Sequence, residues 1–187
     1  MHSKLLSTTS EFFKAKIKPE WLLENESIKL PHHEYNVFDI YVVWLYNGGD
    51  PTMPDMNREG GEKRSQISTF QVLAEAYVLG EILIDYTFKN AIMDTWLKML
   101  KGTQGDTFYE ACPEMARVIY DGTLDGSPAR KFIVDVLRCT VDGPQLTELL
   151  DKLPDACHHE LTISFATERK TKAIDELDFG RCRYHKH

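Results

Sequence analysis

The chain has 187 residues, a length that suits one domain or slightly more. Hydrophobic residues make up 42% and charged residues 27%, which is close to the globular average and excludes wholesale disorder. The formal net charge of −7 and the pI near 5.5 argue against a general nucleic-acid binder.

Hydropathy and cysteine usage predict an intracellular protein of the nucleus or cytoplasm. The longest uninterrupted apolar run is Ile40–Tyr46, whereas a membrane helix needs about 20 residues. The first residues reach Glu11 before any long apolar segment, so no secretory signal is expected. Reduced thiols are therefore expected for the four widely spaced cysteines, Cys112, Cys139, Cys157 and Cys182.

The first predicted elements are a helix, a strand and an ambiguous segment. Ser and Thr residues cap a short helix over residues 7–16, and the alternation Ile28–Leu30 before Pro31 predicts a short strand. Residues 34–46 are rich in β-branched and aromatic side chains, which favours a strand. Their apolar residues also fit helical spacing, which favours a buried helix.

A flexible insertion is predicted over residues 47–66. The segment holds four glycines, two prolines and almost no large apolar residue apart from two methionines. Loops of this length are uncommon and are either functional or disordered.

The rest of the chain is predicted to be helical. Pro113, Pro128, Pro144 and Pro154 each mark the start of a helix, with Ser127 as the cap before Pro128. From about residue 168 the apolar residues become sparse, which predicts a frayed basic tail. Three apolar stripes occur at helical spacing: Phe70, Leu73, Tyr77 and Ile84; Phe88, Ile92, Trp96 and Met99; and Phe132, Ile133, Val136 and Leu137.

Two segments resemble motifs of phosphate-handling proteins but lack residues that those motifs require. Tyr120–Leu124 resembles the D-x-D-G-T-L start of haloacid-dehalogenase phosphatases, but Ile119 occupies the nucleophile position. We therefore interpret it as a turn between two helices, with Gly122 supplying an otherwise strained backbone conformation. Gly60–Ser65 resembles a phosphate loop, but Glu62 separates the last glycine from the lysine.

Cysteine and histidine residues near the C-terminal end have the side chains of a zinc site but not its spacing. Thiolate and imidazole ligands are normal for zinc, yet the regular C-x2-4-C and H-x3-5-H pairs are absent. Chance clustering is the favoured interpretation, and no catalytic or metal-binding residue and no cofactor is assigned. The residues concerned are Cys157, His158, His159, Cys182, His185 and His187.

Five ordered segments between residues 2 and 138 resemble consecutive segments of BTB/POZ domains, the later ones those of the fungal branch. The first, HSKLLSTTSEFFKA, is similar to the family pattern V-H-k-x-x-L-x-x-x-S-x-F-F-x-a, and FDIYVVWLYNG is similar to f-x-x-f-x-x-W-L-Y-t-G. The fourth and fifth segments each match in pieces. In order, the segments are His2–Ala15; Trp21–Pro31; Phe38–Gly48; Leu73–Glu81 with Phe88–Ala91; and Ile119–Tyr120 with Thr123 and Gly126–Arg130, leading to Val134–Asp135.

The resemblance implies an α+β, mostly α fold, in which a helical cluster accompanies a residual short sheet. Residues 34–46 are then a buried helix, and no active site is expected. Residues 1–138 would form the BTB/POZ-like domain, and residues 139–187 a C-terminal helical extension with the basic tail.

The start of the chain departs from the family pattern. The family has a β-hairpin upstream of the histidine matched by His2, whereas here only Met1 precedes it, so Ile28–Leu30 is expected to lack sheet partners. A mis-assigned start codon, a truncated gene and a functional partial domain are the competing explanations. The missing first strand also weakens the homodimer that the family implies.

The resemblance implies a protein-interaction module without an active site, and the acidic pI and the short apolar runs favour neither nucleic acid nor a membrane as partner. Some family members recruit substrates to cullin-3 ubiquitin ligases through a hydrophobic-x-Glu tripeptide, matched here by Leu22, Leu23 and Glu24. A leucine would fill an apolar pocket of the partner, and the carboxylate would fix the register of the contact. The alternatives are that these leucines pack on Trp21, that the chain is a truncated paralogue without independent function, or that it is a small zinc-binding protein.

Overall fold

The computed structural model describes residues 3–17, 35–47, 51, 66–102 and 105–168. These residues form helices and contain no strand, which confirms the predicted mostly helical character. The predicted strand Ile28–Leu30 and the basic tail lie outside them, as does most of the 47–66 insertion. The helices are α1 (Ser3–Thr9), α2 (Glu11–Lys16), α3 (Tyr35–Asn47), α4 (Gln66–Ile82), α5 (Tyr86–Gly102), α6 (Gly105–Gly122), α7 (Pro128–Thr140), α8 (Gly143–Leu150) and α9 (Asp155–Glu168).

The N-terminal segment is divided into two helices, so the single helix predicted over residues 7–16 is wrong. Ser10 interrupts it with extended backbone and caps α2, because its Oγ accepts a hydrogen bond from Phe13 N at 3.2 Å. The same hydroxyl donates to Leu83 O at 2.7 Å. A partner distant in sequence therefore stabilises the interruption.

The ambiguous segment before the insertion is the helix α3, so the strand alternative is wrong. One face of α3 is buried and packs against α4. Tyr41 contacts Trp44 and Phe88 with ring centroids 5.6 and 4.9 Å away. The helical spacing of the apolar residues was the correct indicator, because it places them on one face and that face enters the core.

Helix α4 packs against α3, α5 and α6. Its predicted stripe is buried at Phe70, Leu73 and Tyr77, but Ile84 does not belong to it. Ile84 lies beyond the end of α4 in the turn before α5, is 46% exposed, and has a φ of 50°. The turn places it in the left-handed region, which a β-branched residue rarely adopts.

Helix α6 begins at Gly105, so the prediction that a helix starts at Pro113 is wrong. Pro113 lies inside the helix, although proline removes one backbone donor and crowds the preceding turn. The residues before it belong to the core: Phe108 is 1% exposed and packs edge-to-face on Phe70 at 5.6 Å. This packing offsets the local cost of the proline.

Gly122 is the last residue of α6, and its role differs from the one predicted. A Cβ at Gly122 would lie 2.5 Å from both methyl carbons of Val78, so the glycine permits α6 to approach α4 closely. The left-handed conformation in the following turn belongs to Gly126, whose φ is 78°.

The last three helices follow their sequence signals. Ser127 and Pro128 occupy the cap and first positions of α7, and its predicted apolar stripe is buried. Asp142 and Gln145 form a reciprocal capping box at α8. Apolar residues of α8, α9 and their connection join the same core cluster as the earlier helices: Leu149, Leu153, Cys157 and Leu161.

Candidate interaction surface

The tripeptide predicted to bind a partner lies outside the described residues. Leu22, Leu23 and Glu24 belong to the connection between α2 and α3. Their role in partner binding therefore stays a prediction from the sequence. Of the residues considered for zinc, Cys182, His185 and His187 also lie outside.

The other three of those residues, in α9, do not converge. Successive helical residues point about 100° apart: Cys157 is buried, His158 is half-buried and His159 is exposed. Burial is the main cause that raises the pKa of Cys157 from 9.0 to about 11. Within the described part of the chain, no group of three His, Cys, Asp or Glu residues is arranged to hold a metal ion.

A buried carboxylate, Asp85, joins the N-terminal helices. Its Oδ2 accepts hydrogen bonds from Thr9 Oγ1 at 2.6 Å and from the Tyr41 hydroxyl at 3.0 Å. Its Oδ1 accepts from Phe88 N at 3.0 Å, which makes Asp85 the cap of α5. Burial, and secondarily the charge of Asp85, raises the pKa of Tyr41. We call Thr9, Tyr41 and Asp85 the Asp85 cluster.

Sequence reasoning missed the Asp85 cluster, although one signal for it was present. An aspartate just before the apolar stripe that starts at Phe88 is a standard helix cap. Its two side-chain partners come from other helices, and no local pattern indicates them.

A second buried charge, Arg130, joins α6, α7 and α9. Its Nε donates to Thr123 Oγ1 at 3.1 Å, and its Nη2 donates to the carbonyl oxygens of Tyr120 and Thr123. Its Nη1 donates to Asp125 Oδ1 at 2.6 Å and lies 3.8 Å from Glu160 Oε1. Arg130 thereby satisfies carbonyl groups that the end of α6 leaves without helical partners.

Tyr120 links this arrangement to α9. Its hydroxyl donates to Glu160 Oε2 at 2.7 Å, and the Arg130 guanidinium lies over its ring at 4.7 Å. Burial is the main cause that raises the pKa of Tyr120. We call Tyr120, Thr123, Asp125, Arg130 and Glu160 the Arg130 cluster.

A groove of about 520 Å³ lies beside the Arg130 cluster. It runs between the end of α4, at Glu81 and Ile82, and residues 121–127 of the α6–α7 turn. Asp121 and Asp125 add two more carboxylates, and Leu124 is 86% exposed in the same turn. We call this site the acidic groove.

A second groove, of about 430 Å³, is mainly apolar and lies among α5, α6 and α7. Leu97, Phe108 and Val136 contribute to its lining, and the exposed Cys139 lies at one side. Apart from Asp135, Cys139 and Thr140, the lining is aliphatic and aromatic, which suits contact with an apolar side chain.

No protein-family model matches this chain, and its comparison with curated proteins and with solved structures finds no match. The likeness to BTB/POZ domains therefore rests on the sequence segments alone, and the function it implies is argued below as a proposal.

Proposed function

We propose that the chain is a protein-interaction module of BTB/POZ type. The observation that carries the proposal is the Asp85 cluster. Thr9 lies in the first segment that resembles the family, Tyr41 lies in the third, and Asp85 lies between the two halves of the fourth. Thr9, Tyr41 and Phe88, from three segments identified separately in the sequence, meet at this one carboxylate, as expected if the segments form one inherited packing unit.

The same packing supports a binding role for the connection between α2 and α3. Phe13 in α2 and Tyr41 in α3 are 3% and 0% exposed, and their rings stack with centroids 6.4 Å apart. Both helices that flank Leu22–Glu24 are thus anchored in the core. Anchored flanks lower the entropy lost when the intervening segment binds a partner.

We propose the N-terminal domain of cullin-3 as the partner of that segment. Glu24 would provide a carboxylate for register, and a leucine would provide the apolar anchor. Titration calorimetry of the purified full chain against this domain tests the contact. Glu24→Arg should weaken binding at least about tenfold, because it reverses a charge in the centre of the contact.

Glu26→Arg is the matched control, since it makes the same charge change two residues away. It should change the affinity less than about twofold if the tripeptide itself makes the contact. Equal loss in both variants would attribute the effect to general charge rather than to the tripeptide. Failure of the wild-type chain to bind cullin-3 would reject the adaptor role.

Affinity purification from a fungal lysate then separates the remaining alternatives. Other reproducible partners of the wild-type chain would support an interaction module of a different specificity. Recovery of chaperones alone would favour the truncated paralogue without independent function.

A further inference from the structure

The two N-terminal helices are attached to the later helices at one turn. We call α1 and α2 the N-terminal strap, and α3 to α9 the body. Thr9 Oγ1 donates to Asp85 Oδ2 at 2.6 Å, and Ser10 Oγ donates to Leu83 O at 2.7 Å. The next two backbone N–H groups of the strap donate to carbonyl oxygens of the same turn at 3.5 and 3.3 Å. Four hydrogen bonds of the strap therefore end within residues 83–85.

The strap is too short to be helical by itself. Helix α1 has seven residues and α2 has six, whereas isolated helices shorter than about 12 residues are marginal in water. Its apolar contribution to the core is small: Leu6 and Phe13 are buried, and Phe12 and Ile17 are partly buried. Segments with few buried apolar contacts open at a lower free energy than the core of a protein. The strap therefore depends on its contact with the body.

The body keeps its own contacts when the strap is removed. The Asp85 carboxylate still accepts from the Tyr41 hydroxyl at 3.0 Å and from Phe88 N at 3.0 Å. The Tyr41 ring still contacts the rings of Trp44 and Phe88. Departure of the strap removes Phe13, which is one ring neighbour of Tyr41 among several. The buried polar groups of the body thus keep partners, so the body can stay folded without the strap.

We propose that the strap opens as one unit while the body stays folded, and that it acts as an internal ligand covering a binding site. The uncovered site consists of the Tyr41 ring beside two acceptors, Asp85 Oδ2 and Leu83 O. These groups suit a protein segment that presents an aromatic side chain and hydroxyl donors, as the strap does with Phe13 and Thr9. Such a site is occupied only when the strap is displaced. The proposal does not depend on the proposed BTB/POZ function.

Native-state hydrogen exchange of the full chain, followed by NMR at single residues, tests the opening. The backbone N–H groups of Phe12, Lys14 and Ile17 donate hydrogen bonds within or beside α2. We expect them to share one protection factor, at least about 100-fold lower than that of amides in the middle of α6. Protection equal to that of α6 would overturn the proposal, and so would a steady rise from α1 to α2, which indicates fraying of a chain end.

Leu161→Ala separates opening of the strap from unfolding of the whole chain. Leu161 lies in α9 and is 2% exposed, so its replacement destabilises the body. Amides in α6 should then exchange at least about tenfold faster, whereas those of the strap should change less than about twofold. Equal acceleration of both would show that the strap opens only with the whole chain, and would overturn the proposal.

Two threonine variants test the attachment to the turn. Thr9→Val removes the donor to the buried Asp85 carboxylate and should speed exchange of the strap amides about tenfold. Thr8→Val is the matched control, because Thr8 is exposed and its hydroxyl donates to Lys4 O within α1. It should change exchange less than about twofold. Equal effects would assign the change to the helix propensity of α1 and would overturn the role of the turn.

A labelled synthetic peptide of residues 3–17 probes the covered site, with fluorescence anisotropy as the measurement. In the wild-type chain the tethered strap competes at an effective concentration in the millimolar range, so the peptide should bind weakly. Phe13→Ala in the full chain weakens the strap, and the peptide should bind this variant at least about 30-fold more tightly. The same peptide carrying Phe13→Ala should not bind.

Three outcomes of the peptide experiment would overturn the proposal. Equal affinity for the wild type and the variant would show that the strap covers no site. Absence of binding to the variant would show that the site does not accept such a segment. Loss of native circular dichroism in the Phe13→Ala chain would show that the body does not fold without the strap. Thr9→Val, a milder change, should also bind the peptide more tightly than the wild type does.

Discussion

At the scale of single residues, Asp85 is a buried side chain that joins α1 and α3 to the start of α5. Replacement by Ala would leave the buried Tyr41 hydroxyl without its acceptor and remove the cap of α5. We expect Asp85→Ala to lower the free energy of unfolding by about 3 kcal/mol. Asp85→Asn keeps an acceptor oxygen, so it should lower the free energy of unfolding by a smaller amount.

The control for this prediction is Asp94→Ala, at an exposed position of the same helix. It should change the free energy of unfolding by less than about 0.5 kcal/mol. Urea denaturation followed by circular dichroism measures all three variants. A loss below about 1 kcal/mol for Asp85→Ala would show that the cluster contributes little net stability.

The buried thiol and phenol groups predict loss of stability at alkaline pH. Burial raises the pKa of Cys157 from 9.0 to about 11, and burial also raises the pKa values of Tyr41 and Tyr120. Above about pH 9 the unfolded chain therefore loses protons that the folded chain retains, which favours unfolding. The stabilisation is complete below pH 9 and disappears as the pH passes the folded values.

Thermal melting between pH 8 and 11 measures this effect. We expect Tm to fall steadily above pH 9, and the fall to be shallower in Cys157→Ala, which removes one of the titrating groups. A constant Tm across this range would mean that these groups ionise alike in the folded and unfolded chains.

At the scale of helices, the contact between α4 and α6 depends on the absence of a side chain at Gly122. A methyl group there would overlap Val78, whose methyl carbons would lie 2.5 Å away. Gly122→Ala should therefore cost about 1–3 kcal/mol, as overpacking of a core usually does. Val78→Ala combined with Gly122→Ala should recover part of the loss, because it removes the overlapping methyl groups.

Gly143→Ala provides the matched control at the start of α8. Nothing lies within 4 Å of a Cβ at that position, so the change should stabilise the protein by about 0.4–1 kcal/mol through the unfolded state. Denaturation midpoints of the three variants and the wild type test the argument. It would fail if Gly122→Ala were as stable as the wild type.

At the scale of the whole molecule, the residues after position 138 share the core of those before it. Leu161 in α9 is 2% exposed and belongs to the same cluster as Trp44 and Trp96. We expect circular dichroism and tryptophan fluorescence to report one transition at the same denaturant concentration. Leu161→Ala should lower the free energy of unfolding by about 2–5 kcal/mol, and circular dichroism and fluorescence should report the same loss.

Ile163, two residues away, is 51% exposed, and Ile163→Ala should change stability by less than about 0.5 kcal/mol. If Leu161→Ala changed only a separate, second transition, α9 would unfold independently of residues 1–138. That outcome would support the predicted division of the chain near residue 138.

Local signals identified most of the helices in the second half of the chain. The cap at Ser127, the prolines Pro128, Pro144 and Pro154, and the apolar stripe of α7 act within one or two helical turns, so neighbouring residues contain the necessary information. The helical spacing in residues 34–46 was informative for the same reason. Strand propensity was misleading there, because burial on one face outweighed it.

The tertiary structure alone decided where the chain departs from these local signals. Ser10 divides the first helix because its hydroxyl donates a hydrogen bond to the carbonyl oxygen of Leu83, 73 positions away. Pro113 remains inside α6 because Phe108, upstream of it, enters the core. In both places a contact between distant residues outweighs a propensity of a few neighbouring ones.

The sequence by itself thus determined a mostly helical chain, the apolar faces of its helices and several of their ends. Only the tertiary structure decided which faces meet and which buried charges join them. Thr9 and Asp85 are 76 positions apart, and the Arg130 cluster draws on three helices and a turn. Periodicity specifies that a face is buried, whereas its partner depends on the packing of the whole chain.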